Sequence, residues 1–151
     1  MTFLPLLLLA FSAVAGSQGV VQTDKWNTID QMCGQVVHLR EIPTKREQSS
    51  FEDKYSPVKK AELKLYRGAS TEACCEKLPL IQRTTSGRDG LFMFATVAPG
   101  DYWIETSFRN RIYKLAVRYL PEKNNLVQCK DLLFVLADSG DFQLERVITV
   151  D

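Results

Sequence analysis

Residues 86–105 read SGRDGLFMFATVAPGDYWIE, and this stretch decides the fold of the 151-residue chain. Asp89-Gly90 and Pro99-Gly100 are strong turn signals, because glycine adopts positive φ without strain and proline holds φ fixed. Four large side chains follow the turns at a spacing of two residues, namely Phe92, Phe94, Tyr102 and Ile104. Since side chains alternate between the two faces of a strand, the stretch predicts two strands joined by a hairpin, each with an aromatic side chain on its buried face.

The same alternation extends along the chain on both sides of this stretch. It predicts strands at 35–40, 58–67, 80–85, 111–119, 131–137 and 141–150. The run at 131–137 is apolar on both faces, which indicates a central or covered strand. About seven or eight short strands separated by turns are typical of an all-β, antiparallel sandwich.

The chain begins with an apolar segment that has the pattern of a secretory signal. Residues 1–15 carry no charged side chain and end in the small-x-small triplet Ala13-Val14-Ala15, where such signals are cleaved. A membrane anchor is the alternative, although the run is shorter than the ~20 residues of a spanning helix. No later stretch is long enough to span a membrane, so we expect a protein that is secreted, periplasmic or held at the cell surface.

Behind this signal we divide the chain into an N-terminal arm at 16–32 and a β-sandwich domain at 33–151. In the arm, Trp26 and Ile29 recur at helical spacing with Cys33, which predicts a short helix after Thr23. Within the domain, residues 41–56 are too polar and charged for a core element. We therefore predict a long loop there, of the kind that is flexible or functional.

The cysteines are the candidates for covalent cross-links: Cys33, Cys74, Cys75 and Cys129. In an exported chain an even number of cysteines favours disulfides, and four allow three connectivities. Zinc is the rival hypothesis, but Cys74-Cys75 lacks the spacer of a CxxC motif and the chain has one histidine. We expect two disulfides, with Cys33 and Cys129 both oxidised, and no metal site. Because a bond between neighbours is strained, Cys74 and Cys75 could each pair with one of them, and the sequence leaves the connectivity open.

The charge pattern excludes several classes of function. The chain has nineteen Lys and Arg residues and eighteen Asp and Glu residues, which give a net charge of +1. Nothing in this balance points to nucleic acid as a partner. The sequence has no glycine-rich phosphate loop and no spacing of acidic residues for a cation, so we predict no cofactor. The alternation places His38 on an outward position, and no serine or cysteine is implied as its partner. We therefore predict a solvated or edge histidine and no catalytic residue.

Several short motifs carry a family resemblance. Those that resemble the opening of a carboxypeptidase regulatory-like domain are Gly34-Gln35-Val36-Val37, Pro57 and Ala61-Glu62-Leu63-Lys64-Leu65. Those that resemble its continuation are Thr84-Thr85 before Asp89-Gly90, Phe92-x-Phe94, Val97 and Pro99-Gly100-x-Tyr102. The same pattern occurs in collagen-adhesin B-type repeats, and the shared fold is the prealbumin-like (transthyretin-like) sandwich. The resemblance covers residues 34–108 and rests on turn and core positions, which specify fold rather than function.

The resemblance implies a secreted or cell-surface accessory module without catalytic activity. Adhesin repeats often carry a Lys–Asn crosslink between their first and last strands, but 34–40 contains no Lys and 141–151 contains no Asn, so we expect none. Transthyretin-like hydrolases share the fold and end in a Tyr-Arg-Gly-Ser motif. Tyr66-Arg67-Gly68-Ala69 lies in mid-chain and lacks the serine, and a single histidine cannot reproduce the histidine cluster of that family.

Trp103 is the candidate for a binding residue. If Tyr102 faces the core, Trp103 faces outward, where a large aromatic side chain calls for an explanation. One explanation is that the 41–56 loop covers it with Ile42, Phe51 or Tyr55. The other is that Trp103 centres a patch rimmed by Lys114 and Arg118, because Trp and Arg are favoured at binding hot spots. Such a patch would bind a protein or a carbohydrate, and a carbohydrate-binding module is the alternative function.

Overall fold

A computed structural model describes residues 26–40, 54–68, 73–123 and 128–147, together with the backbone of 19–22. Over these residues the chain forms eleven β-strands and one turn of 3₁₀ helix, Cys129–Asp131. The strands are β1 (Gly19–Gln22), β2 (Asn27–Ile29), β3 (Cys33–Leu39), β4 (Tyr55–Pro57), β5 (Glu62–Arg67), β6 (Leu80–Thr85), β7 (Leu91–Met93), β8 (Gly100–Phe108), β9 (Arg111–Tyr119), β10 (Leu132–Ala137) and β11 (Phe142–Arg146). The predicted signal at 1–15 lies outside the described residues, as do 41–53 of the predicted loop.

The strands form two sheets that share one apolar core. The first sheet has the order β1-β9-β8-β5-β6, and β2 also pairs with β9. The second has the order β11-β10-β3-β4, and β7 also pairs with β3. The predicted all-β architecture is therefore confirmed, and β10 lies between two neighbours with all six of its residues buried.

Both sheets are mixed rather than antiparallel. Among the described strands, β1 and β2 run parallel to β9, and β10 runs parallel to β3, with Val135 opposite Val37. The other six pairings are antiparallel. Turn signals indicate how consecutive strands reverse, whereas all three parallel pairs join strands that are not consecutive.

Large side chains from both sheets interlock in the core. Phe134 of the second sheet lies 4.9 Å from Phe92 and 6.2 Å from Phe142, measured between ring centroids. Leu63 and Leu115 of the first sheet complete the interior and are fully buried. Full burial of a side chain of this size stabilises the fold by about 1.5–3 kcal/mol, so this layer accounts for much of the stability.

The stretch 86–105 places its four large side chains in this core as predicted, but the two strands do not form a hairpin. β7 pairs with β3 in the second sheet, whereas β8 pairs with β5 and β9 in the first. The turn before Tyr102 therefore crosses between sheets. Phe92 and Tyr102 lie in the same core but come from different sheets, and alternation alone does not distinguish this arrangement from a hairpin.

The N-terminal arm and the long loop contain strands that the sequence analysis missed. β2 replaces the predicted helix, since Asn27–Ile29 pairs in register with Val117–Tyr119 and Ile29 is buried in the core. β4 shortens the predicted 41–56 loop, because Tyr55–Pro57 pairs with β3. Three added short strands, β1, β2 and β4, raise the predicted seven or eight to eleven.

The four cysteines form two disulfides. Cys33 bonds to Cys129, with Cα atoms 5.1 Å apart and a separation of 96 positions in sequence. Cys74 bonds to its neighbour Cys75. The prediction that Cys33 and Cys129 are oxidised is confirmed, and they bond to each other rather than to Cys74 and Cys75. The parallel pairing of β3 and β10 brings Cys33 and Cys129 to the same end of the second sheet, which accounts for their bond.

Candidate functional site on the outer face of the first sheet

Trp103 lies on the outer face of the first sheet, opposite to Ile104 and the core. Its neighbours across the sheet are Tyr66 on β5 and Ala116 on β9. The outward orientation follows from strand alternation, but the side chain is only 3% exposed. Trp103 is therefore not an accessible centre for a binding patch.

Part of the connection between β5 and β6, together with Trp26 from the arm, covers Trp103. Cys75 is buried against the ring, and three partly buried side chains extend the cover: Trp26, Cys74 and Leu78. Trp26 packs edge-on, with ring centroids 5.9 Å apart. We call Cys74, Cys75, Leu78 and Trp26 the Trp103 cover.

The expected cover from the 41–56 loop is not the one observed. Ile42 and Phe51 lie outside the described residues. Tyr55 packs on the other sheet against Val37 and Leu133, because β4 is an edge strand of that sheet. Cys74, Cys75 and Leu78 of the cover lie in the connection that follows β5, and Gly68 at its start permits close approach of Leu78. A Cβ on Gly68 would lie 2.8 Å from Leu78 Cδ1.

Lys114 and Arg118 lie beside this cover without framing an exposed tryptophan. Lys114 Nζ donates a hydrogen bond to the carbonyl oxygen of Cys74 at 2.9 Å. Arg118 Nε donates to Asp101 Oδ1 at 2.9 Å, and its guanidinium lies 5.8 Å from the ring centroid of Trp26. The hydrogen bond to Asp101 also raises the pKa of Arg118 above its ordinary value. The structure thus brings Lys114 and Arg118 to this face, with Trp26 as the aromatic partner of the guanidinium.

A group of potential metal ligands lies at the edge of the cover. The sulfurs of Cys74 and Cys75 and a carboxylate oxygen of Glu105 all lie within 4.8 Å of one another. Metals bind cysteine in its thiolate form. In the disulfide state neither sulfur is a thiolate. Beside them an open groove of about 530 Å³ is lined by Ala73, Cys74, Glu76, Lys77, Leu78 and Lys114.

His38 occupies a buried position rather than the solvated one predicted for it. The residue is 6% exposed, and its ring centroid lies 5.1 Å from that of Phe108. His38 shares the inward side of β3 with Val36, which packs in the core, so the outward assignment was wrong. Its Nε2 donates a hydrogen bond to Asp138 Oδ1 at 2.8 Å.

Asp138 responds to this contact. The hydrogen bond from His38 is the main cause that holds the pKa of Asp138 below its ordinary value, and the charges of His38, Arg109 and Arg111 act in the same direction. Arg111 also donates to the backbone carbonyl of Asp138. The pair links the end of β3 to the β10–β11 turn, and its geometry is that of a structural contact between two elements.

Sequence reasoning identified the Trp103 region but not its actual neighbours. Trp26, Leu78 and the bond between Cys74 and Cys75 were missed, although the connection at 68–79 contains Leu78, a large apolar residue. The need to bury an outward tryptophan was the available signal.

No protein-family model, curated protein or solved structure matches this chain.

Proposed function

We propose that the chain is an exported, non-catalytic β-sandwich module with a structural or binding role in the periplasm, at the cell surface or outside the cell. The Cys33–Cys129 disulfide is the observation that carries this proposal. Disulfides persist in oxidising compartments and are rare in the cytosol. The apolar segment at 1–15 supports the same destination. Within the part of the chain that the structure describes, no helix has the length and apolar character to cross a membrane.

The type of module is the carboxypeptidase regulatory-like domain with the prealbumin-like fold. Residues that carry the resemblance support this proposal by their positions, because Val36, Leu63 and Phe92 from separate motifs meet in one core. The turn at Asp89-Gly90 adopts the backbone that the motif requires, with φ of 78° at Gly90. These are fold positions, and their role in such a module is to build a scaffold.

The alternative functions receive less support from the arrangement of the residues. A carbohydrate-binding role for Trp103 requires an open aromatic face, and the ring is 3% exposed. A transthyretin-like hydrolase requires its histidine and its Tyr-Arg motif in one site. Here His38 lies on β3 in the second sheet, whereas Tyr66 and Arg67 lie on β5 in the first.

Export is tested by expressing the whole chain in a bacterial host and comparing it with a variant that lacks residues 1–15. We expect the whole chain in the exported fraction, cut after Ala15 and with Cys33 bonded to Cys129 on non-reducing peptide mapping. The shortened variant should stay in the cytosol. Recovery of the uncut whole chain from the cytosol, or free thiols at Cys33 and Cys129 in exported protein, would refute the proposal.

The non-catalytic assignment makes a separate prediction. Purified protein should show no turnover of hydroxyisourate or of a simple ester that depends on His38, because its ring is buried and hydrogen-bonded to Asp138. His38→Ala and the wild-type protein are compared at equal concentration. Turnover by the wild type that disappears in a folded His38→Ala variant would establish an enzyme instead.

A further inference from the structure

The two disulfides close loops of very different length. Cys33 and Cys129 are separated by 96 positions, and Cys74 and Cys75 by one. A disulfide stabilises a protein mainly by restraining the unfolded chain, and this effect grows with the number of residues enclosed. The Cys74–Cys75 bond encloses no loop, so its contribution has to be local to the Trp103 cover.

The two bonds also differ in what holds their cysteines together. Cys33 begins β3 and Cys129 lies just before β10, and the pairing of these strands keeps the two residues close even when the bond is open. Such preorganisation favours re-formation of the bond. The short segment that carries Cys74 and Cys75 belongs to neither sheet. Among the described contacts, its backbone is held by Lys114 and by a hydrogen bond from Leu78 N to Cys75 O at 3.1 Å.

Cys74 offers an attacking thiolate an approach. It is partly buried and lines the open groove, whose charged residues are Glu76, Lys77 and Lys114. The Glu105 carboxylate also lies within 4.8 Å of the sulfurs, so the approach to Cys74 depends on its exposure rather than on a net positive charge. Cys75 is 5% exposed, and Cys33 is 2% exposed. Attack at Cys74 is therefore favoured, with Cys75 as the leaving sulfur.

The cover that this bond completes is imperfect in its polar contacts. Trp103 Nε1 is buried and has no hydrogen-bond partner among the described residues. An unpaired buried N–H group is penalised relative to one that reaches water. Opening the cover would let water bond to this group, so the covered and open states are closer in free energy than the apolar packing alone suggests.

We propose that Cys74–Cys75 is a thiol–disulfide exchange site, and that its reduction by a dithiol opens the cover over Trp103. One thiolate of the dithiol attacks Cys74 Sγ, the bond between the cysteines breaks, and Cys75 leaves as a thiolate that takes a proton from water. The second sulfur of the dithiol then loses its proton and attacks its partner sulfur in the mixed disulfide. Cys74 is released and protonated, and the reductant leaves as a cyclic disulfide, having supplied two electrons.

The test uses the folded chain and dithiothreitol as the probe. Samples are equilibrated with increasing dithiothreitol, alkylated and mapped by mass spectrometry, while tryptophan emission is recorded. We expect alkylation of Cys74 and Cys75 at a concentration about tenfold or more below that needed for Cys33 and Cys129. Over the same low range the emission should shift to longer wavelength and acrylamide quenching should increase, as the ring of Trp103 meets water.

Two variants assign the signal. Trp26→Phe leaves Trp103 as the sole tryptophan and should keep the shift. A Cys74→Ser, Cys75→Ser double variant should show long-wavelength emission without reductant and no response to it, with a circular dichroism spectrum like that of the wild type. Equal reduction of both disulfides would overturn the proposal. Alkylation of Cys74 and Cys75 with unchanged emission would overturn it as well.

Discussion

At Trp103 the outer face of the first sheet carries a side chain as deeply buried as those of the core. Trp103→Ala should lower the free energy of unfolding by ~3 kcal/mol or more, because the cavity cannot close around so large a deletion. Met93→Ala is the matched control, since Met93 is 60% exposed and its loss should change stability by less than ~0.5 kcal/mol. Both values come from urea unfolding. A Trp103→Ala variant as stable as Met93→Ala would show that the cover does not stabilise the fold.

The lowered pKa of Asp138 should make the stability of the protein depend on pH. This pKa is lowered in the folded chain, chiefly by the hydrogen bond from His38. A carboxyl group with a depressed pKa stabilises the fold above its unfolded pKa of about 3.9, and this contribution is lost as pH falls through and below that value. Between pH 5 and pH 3 the wild type should therefore lose more stability than Asp138→Asn.

The experiment compares urea midpoints of the two proteins across this pH range. Asp141→Asn removes an acidic side chain from the same hairpin and serves as the control. If Asp138→Asn lost as much stability as the wild type on acidification, the His38–Asp138 contact would not be a source of the pH dependence.

Among the elements, the turn between β6 and β7 depends on one glycine. Gly90 has φ of 78°, and a Cβ there would lie 2.4 Å from the carbonyl oxygen of Val36. Gly90→Ala should destabilise the protein by more than about 1 kcal/mol, because alanine is strained at this positive φ and its Cβ would clash with the backbone of Val36. Gly87 lies in the same turn, and a Cβ there would have its nearest neighbour at 3.4 Å, an ordinary contact distance. Gly87→Ala is therefore the matched control. Equal urea midpoints for the two variants would contradict this account.

The same turn shows how far the sequence predicts the elements. Asp89-Gly90 and the alternation of Phe92 and Phe94 were sufficient to predict the turn and the buried face. They could not predict that β7 joins the second sheet, because that depends on its pairing with Cys33–Gln35, far away in sequence. β2 was missed for the same reason. The three residues of β2 are too few to show an alternation of polar and apolar side chains, and their pairing with β9 makes them a strand.

At the scale of the whole molecule, the candidate site also combines features that local sequence patterns predict with features that depend on distant contacts. Alternation predicted correctly that Trp103 faces away from the core. It placed His38 on an outward position, whereas the structure buries both faces of β3, with Val36 on one face and Val37 on the other. A strand covered on both sides gives no contrast from which its inner face can be read. The pairing of cysteines depends likewise on the sheet order, which the sequence does not display.

The bond between Cys33 and Cys129 is the contact that most affects the molecule as a whole. It links β3 to the entrance of β10 across 96 positions, and a loop of this length corresponds to about 4–5 kcal/mol in the chain-entropy model, within a usual range of about 2–5 kcal/mol. A Cys33→Ser, Cys129→Ser variant should therefore lose stability of this order. The Cys74→Ser, Cys75→Ser variant should lose less, because its bond encloses no loop and its loss affects only the packing around Trp103. Urea unfolding without reductant measures both. If the second variant were the less stable, the restraint on the unfolded chain would not be what distinguishes the two disulfides, and packing around Trp103 would be the larger contribution.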